Sequence, residues 1–338
     1  MKIAVLTNLK KDAPESLTKI SQRTDDLDHW ITVEKIIHAF EGAGHEARYI
    51  PGEIRYIQEI LAFNPDICFN FSEGHFGTSR EAQIPAILDA YEIPYTGSGV
   101  LGMSLSHDKA IAKRMFRGAG LPTPASILIN DPYKIPKANL RYPLFVKPAS
   151  EGSSIGINEN AVVHNETELK KQVEWVWNLV KSAVLVEEYI QGREFSIGVV
   201  GNEVLPIIEI ITPTGFYSNS LKKNENDLYC VCPALLDKNT TRKLKEIAIR
   251  GMECLNIHDF CRMDLRLDSK QNPYILEINP LPNLHPDPRD GFLILAANAA
   301  GWSYEQLVNR ILLAALKRYD LILEPATSEN IVPWVMNG

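Results

Sequence analysis

The chain has 338 residues, more than one hydrophobic core usually organises, so two or three domains are expected. It is 45% hydrophobic and 23% charged, with a net charge of -7. That balance argues against a nucleic-acid partner and leaves small-molecule chemistry open. No apolar run approaches membrane-spanning length, so no membrane partner is expected. The apolar run at the N-terminus is too short for a signal peptide and is closed by Lys10 and Lys11. Five scattered cysteines form no Cys-x-x-Cys pair, which suggests neither a disulfide framework nor a zinc site. A cytoplasmic location is the expectation.

In chain order, Lys2–Thr7 reads as a buried strand, followed by a polar stretch from Asn8 to Asp28. Trp30–Glu41 is a predicted helix ending at Gly42, Glu46–Ile50 a strand, Ile54–Phe63 a helix and Asp66–Phe71 a strand. This alternation predicts a parallel sheet with helices on its faces. The loop from Ser72 then lies at a strand's carboxyl end, where ligands bind in such sheets. Glu81–Tyr91 and a segment from about Ser106 to Gly118 are predicted helices. Ser126–Ile129 and Leu144–Lys147 are short strands, Glu166–Val180 a helix and Val184–Ile190 a strand. Phe195–Val200 and Val204–Ile211 read as a hairpin, and Thr212–Asp227 as a polar, mobile-looking loop. Asn239–Leu255 and Trp302–Lys317 are the last predicted helices.

The chemistry concentrates late in the chain. Arg262–Asp268 and Tyr274–Asn279 alternate as strands, and Ser269–Pro273 is turn chemistry, so the two pair as a hairpin. Pairing gathers Asp264, Glu277 and Asn279, with Arg262 beside them. An all-oxygen cluster of this kind suits a hard cation such as Mg²⁺. A solvated hairpin face carries the same alternation. Lys147 opens a second feature, a loop running through Glu151, Gly152, Ser153, Ser154 and Gly156. Backbone N–H groups in such a loop can cradle phosphate, although it lacks the Gly-Lys-Ser/Thr of a Walker A loop. Lys109 stands at a predicted helix start, where Ser106 or Asp108 can cap. Glu187 and Glu188 end a strand and, being consecutive, point to opposite faces. No Gly-x-Ser-x-Gly elbow is present, so nucleophilic hydrolysis has no support.

In combination these features resemble the ATP-grasp superfamily and, within it, the D-alanine–D-alanine ligases. The strings that carry the resemblance are Ile93-Pro-Tyr-Thr-Gly-Ser-Gly-Val-Leu, Ser106-His-Asp-Lys109, Phe145-Val-Lys-Pro and Glu151-Gly-Ser-Ser-Ile-Gly156. Val186-Glu-Glu-Tyr-Ile, Gly192-Arg-Glu194, Cys232-Pro-Ala, Arg262-Met-Asp264 and Leu276-Glu-Ile-Asn-Pro-Leu-Pro282 continue it in the family's order. The resemblance implies an α/β, three-domain ATP-grasp fold with an N-terminal parallel-sheet (pre-ATP-grasp) domain. The implied divisions are 1–98, 99–190 and 191–320, with 321–338 a tail.

It also implies roles. Lys109 and Lys147 would contact ATP phosphates, and Glu151–Gly156 would close over them, with Ser153 and Ser154 near the reacting centre. Glu187 would meet the adenine amino group, with Glu188, Tyr189 and Ile190 along the nucleotide edge. Glu194 would hold the ribose hydroxyls, and Lys222 would be the lid lysine. Asp264, Glu277 and Asn279 would hold a pair of Mg²⁺ ions, with Mn²⁺ a substitute, and Arg262 would stabilise the transferred phosphate.

The departures fall on the other substrates. The family's ammonium-binding glutamate has no counterpart after Thr7, though Asp25, Asp26 or Asp28 can substitute. Lys223 follows Lys222 where the family has tyrosine. Glu73, His75 and Arg80-Glu81 replace the usual His-Gly-x-x-Gly-Glu-Asp-Gly, and Pro282–Arg289 replaces the Pro-Gly-Met-Thr segment. Glu73, His75, Arg262, Asn283 and Arg289 are therefore the candidate substrate contacts. The implied activity is an ATP-dependent carboxylate–amine ligase acting on small molecules through an acyl phosphate, with a homodimer expected by analogy. D-alanyl-D-alanine synthesis itself and an ATP-binding regulatory protein without turnover are the alternatives.

Overall fold

A computed structural model describes residues 1–18, 24–137, 139–213, 215–216 and 229–321. Lys222, Lys223, most of the Thr212–Asp227 loop and the tail after residue 321 lie outside the described residues. Among the described residues the strands form three sheets.

The first sheet is parallel. β1 (Lys2–Thr7) runs between β2 (Glu46–Pro51) and β3 (Ile67–Asn70). Every residue of β1 from Ile3 onward is buried, as expected for a strand covered on both faces. One face packs on α2 (Trp30–Gly42) through Val33, Ile36 and Phe40. The other packs on α3 (Ile57–Phe63) and α4 (Gln83–Ala90) through Ile60, Phe63, Ile84 and Leu88. The polar segment after β1 includes a short helix, α1 (Glu15–Thr18). It folds back so that Lys10 N–H donates to Asp28 O at 2.9 Å and Asp28 N–H to Asn8 O at 3.0 Å. Asp28 is thereby fixed at the carboxyl end of β1.

The helix expected from Ser106 is the second of two, α5 (Val100–His107) and α6 (Lys109–Gly118). Asp108 separates them in extended conformation. Its carboxylate accepts the N–H groups of Ala110 and Ile111 at 2.9 and 3.0 Å, as an N-cap does. The break carries Lys109 inward rather than to the surface.

The second sheet is antiparallel, in the order β4 (Ser126–Ile129), β7 (Val184–Glu188), β5 (Leu144–Pro148), β6 (Val162–Val163). α7 (Glu166–Val180) covers it, with Leu169, Val173 and Val176 against Val146 and Val186.

The third sheet is antiparallel, in the order β11 (Tyr229–Val231), β10 (Ile208–Ile211), β8 (Gly192–Val200), β12 (Phe260–Asp268), β13 (Pro273–Asn279). The continuous strand expected over Val204–Ile211 is instead β9 (Glu203–Val204) and β10, with Pro206 between them. Proline has no N–H for the ladder, which accounts for the interruption. α6 and α8 (Lys238–Cys254) bury one face, where Ala112, Phe116 and Leu244 meet Phe195, Met263 and Leu265. α9 (Phe292–Ala299) and α10 (Tyr304–Arg318) bury the other face and share one core with β1 and α2. At the end of α10, Arg318 donates to Asp259 and to the carbonyls of Tyr95 and Gly97, fastening the last helix to the strand-end loop of the first sheet.

Candidate active site

β12 and β13 pair as expected, with Arg262 opposite Asn279 and Asp264 opposite Glu277. The register then shifts: Leu265 pairs with Ile275, leaving Leu276 as the extra residue of a bulge. The bulge lets adjacent Leu276 and Glu277 both line one cavity of about 690 Å³. That cavity lies where the three sheets converge. Lys109, Lys147, Glu151–Ser154, Glu187–Ile190, Glu194, Arg262, Asp264, Glu277 and Asn279 all line it.

Cations and carboxylates alternate across its floor. Lys109 Nζ is 3.4 Å from Glu277 and donates to Glu151 O at 2.6 Å. Arg262 lays its fork on Asp264, Nη2 to Oδ2 at 2.9 Å. Burial alone would raise the Glu277 carboxyl, but Lys109, Lys147 and Arg262 outweigh it and hold it down at about 2. Lys147 is 2.8 Å from Glu187 Oε1, and the fully buried Lys113 is 2.6 Å from Glu187 Oε2. Burial would raise Glu187 as well, and these two lysines keep it ionised.

One end of the cavity is aromatic. Phe145 and Tyr189 stack at 6.1 Å, and Phe216 meets Phe145 edge-on at 5.4 Å. Beside this slot Arg266 is buried. It donates to Glu194 Oε2 at 2.6 Å and to the carbonyls of Ile190, Gly192 and Gly215. Burial pushes the Glu194 carboxyl up to about 7 even against Arg266. Tyr189 N–H donates to Pro143 O, and the Glu188 carboxylate accepts from Arg141.

The Glu151–Gly156 loop sits under the polypeptide of the first sheet's segment. Ser153 and Ser154 both have left-handed φ, 46° and 56°, an uncommon conformation for serine. Ser153 Oγ donates to Asp25 O at 3.4 Å. Gly156 has φ 73° but lies outside the cavity lining; a Cβ there would meet the Pro148 ring at 2.7 Å.

The opposite end is acidic, with Asp25, Asp26, Asp28, Glu73 and Glu81 in its wall. Arg80 is the buried counter-cation. It donates to Asp26 Oδ2 at 3.0 Å and to His107 Nε2 at 3.1 Å, and lies 3.6 Å from Glu151. Because His107 Nε2 accepts, its ring proton sits on Nδ1 and goes to Glu81 at 2.6 Å. Burial, with Glu81 and Asp26 nearby, pushes the Glu73 carboxyl well up, Arg80 opposing.

Three expected substrate contacts stand elsewhere or are otherwise engaged. His75 is absent from the cavity wall; it lines a separate pocket of about 220 Å³ and lies 3.7 Å from Glu53. Arg289 is at the rim, its side chain 74% exposed and its fork laid on Asp287. Asn283 lines the cavity but also braces its own loop, accepting from His285 N–H and donating to Asp290 O. Lys113 and Arg266 were not singled out from the sequence. A helical lysine four residues after Lys109 looks like surface, and Arg266 reads as one more charge on an alternating strand.

The chain is similar to known proteins over most of its length. The family model described as "D-ala D-ala ligase C-terminus" matches residues 123–313. The chain is 33% identical to the D-alanine–D-alanine ligase of Syntrophotalea carbinolica, over 85% of this chain and 91% of that one. It is 32% identical to the uncharacterized protein y4sG of Sinorhizobium fredii, over 85% and 88%. The crystal structure of the Bacillus anthracis D-alanine–D-alanine ligase complexed with ATP superposes with a TM-score of 0.74 at 23% identity, covering 95% and 99% of the two chains. That last likeness concerns the fold, which is ATP-grasp with an N-terminal parallel sheet. The family match and the identity to curated ligases over most of both chains show an ATP-dependent carboxylate–amine ligase. The chain belongs to the D-alanine–D-alanine ligase family.

Proposed function

We propose that the enzyme joins amino acids or small peptides through an amide bond, with ATP bound in the 690 Å³ cavity. The alternation of Lys109, Lys147 and Arg262 with Glu277 and Asp264 on one enclosed floor supports this reading most directly. Adenine would occupy the aromatic slot. Glu194 would accept from the ribose hydroxyls, with Arg266 favouring its ionised form. Lys109, Lys147 and the Glu151–Gly156 loop would receive the phosphates.

Asp264, Glu277 and Asn279 fit Mg²⁺ by donor chemistry. All three offer hard oxygens, and Glu277 is ionised throughout the neutral range. Among the described residues no group of three or more His, Cys, Asp or Glu stands together to hold a metal. Two carboxylates, one amide and the phosphate oxygens of ATP would then share the coordination. A metal so held would neutralise phosphate charge.

In the first step a substrate carboxylate oxygen attacks the γ-phosphorus, forming the acyl phosphate and releasing ADP. In the second an amine attacks the acyl carbon, phosphate leaves and the amide forms. Arg262 would hold negative charge on the transferred group, and Ser153 and Ser154 would donate beside it. The acidic end, with Glu73 among Asp25, Asp26 and Asp28, would accept the ammonium of an amino substrate. Asn283 would face a substrate from the opposite loop, with Arg289 at the rim. A cytoplasmic location fits an ATP-consuming enzyme.

D-alanine as both substrates is the second reading, favoured by the activity in the name of the Syntrophotalea relative. Product analysis by mass spectrometry after incubation with Mg²⁺, ATP and paired D- and L-amino acids or dipeptides tests both. An amide from any pair supports the proposal, D-alanyl-D-alanine selects the second reading, and ADP formed with no condensed product from any pair counts against amide formation.

A further inference from the structure

Lys113 is the most completely buried charged group described in the chain, with no exposed surface. It does not line the cavity. It projects from α6, four residues after Lys109, into the space between the second and third sheets. A lone ammonium there would be strongly disfavoured, so its partners define its purpose. Its Nζ lies 2.6 Å from Glu187 Oε2, donates to Thr123 Oγ1 at 2.9 Å and reaches Ile275 O at 3.5 Å. The other oxygen of Glu187 faces Lys147 at 2.8 Å. One carboxylate thus stands between two ammonium groups, one hidden and one at the cavity wall. Taken as ions, the three groups sum to one positive charge. Without Lys113, Glu187 would cancel Lys147, and the cavity would face a neutral pair.

We propose that Lys113 is a positioning residue for nucleotide binding: it neutralises and orients Glu187 from behind, leaving the charge of Lys147 available to phosphate. This rests on the ATP site proposed above. Thr123 is held independently, since its hydroxyl also donates to Ile275 O at 2.8 Å, so the local scaffold does not depend on the lysine alone. The fold therefore invests a buried cation where an apolar side chain would have packed, and the structure offers it one carboxylate, Glu187.

The test is ATP affinity and steady-state kinetics for the full chain and for the Lys113→Met, Lys113→Gln, Glu187→Gln, Lys147→Met and Thr123→Val variants, each checked for folding by circular dichroism. Lys113→Met should raise the KM for ATP roughly ten-fold or more, with kcat changed far less. Lys113→Gln retains a donor to Glu187 without the charge. It should weaken ATP similarly and keeps the proposal testable if methionine prevents folding. Thr123→Val removes a neutral acceptor of Lys113 and a bond to Ile275 O but keeps the ion pair with Glu187, so it should raise that KM far less than Lys113→Gln does. In Lys113→Met/Glu187→Gln the two effects should fail to multiply, because the lysine acts through the carboxylate. Unchanged ATP affinity in folded Lys113→Gln, or full multiplication in the double variant, would overturn the proposal. Unchanged affinity in Lys147→Met would instead overturn the ATP site on which it rests.

Discussion

Asp264 stands directly opposite Glu277 in the antiparallel ladder of β12 and β13. The pairing brings two carboxylates together in a wall that also carries Lys109 and Arg262. Two like charges side by side oppose each other unless cations lie between or around them, and both have one. Glu277→Gln removes one charge without changing shape. It should abolish ATP turnover while leaving the circular dichroism spectrum intact. Retained ADP release in that variant would contradict the metal and phosphate assignments together.

Arg262 reaches Asp264 through a planar fork and stacks over Phe292 at 5.6 Å. Lysine carries the charge but not the fork. Arg262→Lys should lower kcat by about 100-fold, in the range seen when a transition-state donor is lost, with ATP affinity much less affected. Pre-steady-state ADP release separates the two.

Arg80 answers the acidic end of the cavity, touching Asp26, His107 and Glu151. Its loss leaves buried carboxylates uncompensated. Arg80→Met should destabilise the protein by about 3–5 kcal/mol, the usual cost of orphaning a buried ion-pair partner. Adding Asp26→Asn should recover part of that loss, measured by urea unfolding of the two singles and the double.

The Asp28 carboxyl is pushed up to about 7 from its ordinary 3.8 by burial, although the Thr7 hydroxyl donates to it at 2.5 Å and favours the ionised form. Between those values the folded chain holds a proton that the unfolded chain releases. This contribution is therefore full below about pH 4 and is lost as pH rises through about 7. Asp28→Asn should flatten that slope, so that its stability relative to the parent chain improves from pH 4 to pH 8. Thermal unfolding across the range reads it directly.

The hairpin was legible because alternation and a turn sequence specify a two-stranded ladder, and opposition across a ladder follows from pairing. The bulge at Leu276 was not: it breaks the strict alternation, so that Ile275 and Ile278 share the buried face, and no glycine or proline marks the break. β1, α7 and β4 carry strong local patterns and appear at their expected bounds. α9, Phe292-Leu-Ile-Leu-Ala-Ala-Asn-Ala, is apolar on nearly every side and offers no periodic stripe to read. Lys109 and Lys113 look like surface lysines until Asp108 breaks the helix and turns α6 between two sheets. His75 shows the converse: its loop is at the cavity's edge, but the backbone turns the ring toward Glu53. Charge partners distant in sequence become visible only once the strands and loops are placed: Arg266 stands opposite Glu194 on neighbouring strands of the third sheet, and Arg80 meets Asp26 from the loop after β1.

The central claim is tested most directly by ADP release from Mg²⁺ and ATP, with mass spectrometry of the products, over single and paired D- and L-amino acids and dipeptides. Parent chain and Glu277→Gln should be run side by side. The account predicts ADP, phosphate and one amide product in equal amounts from the parent chain, and none of them from Glu277→Gln. Amide formation that persists in Glu277→Gln, or stoichiometric ADP with no amide from the parent chain under any pair, would contradict it.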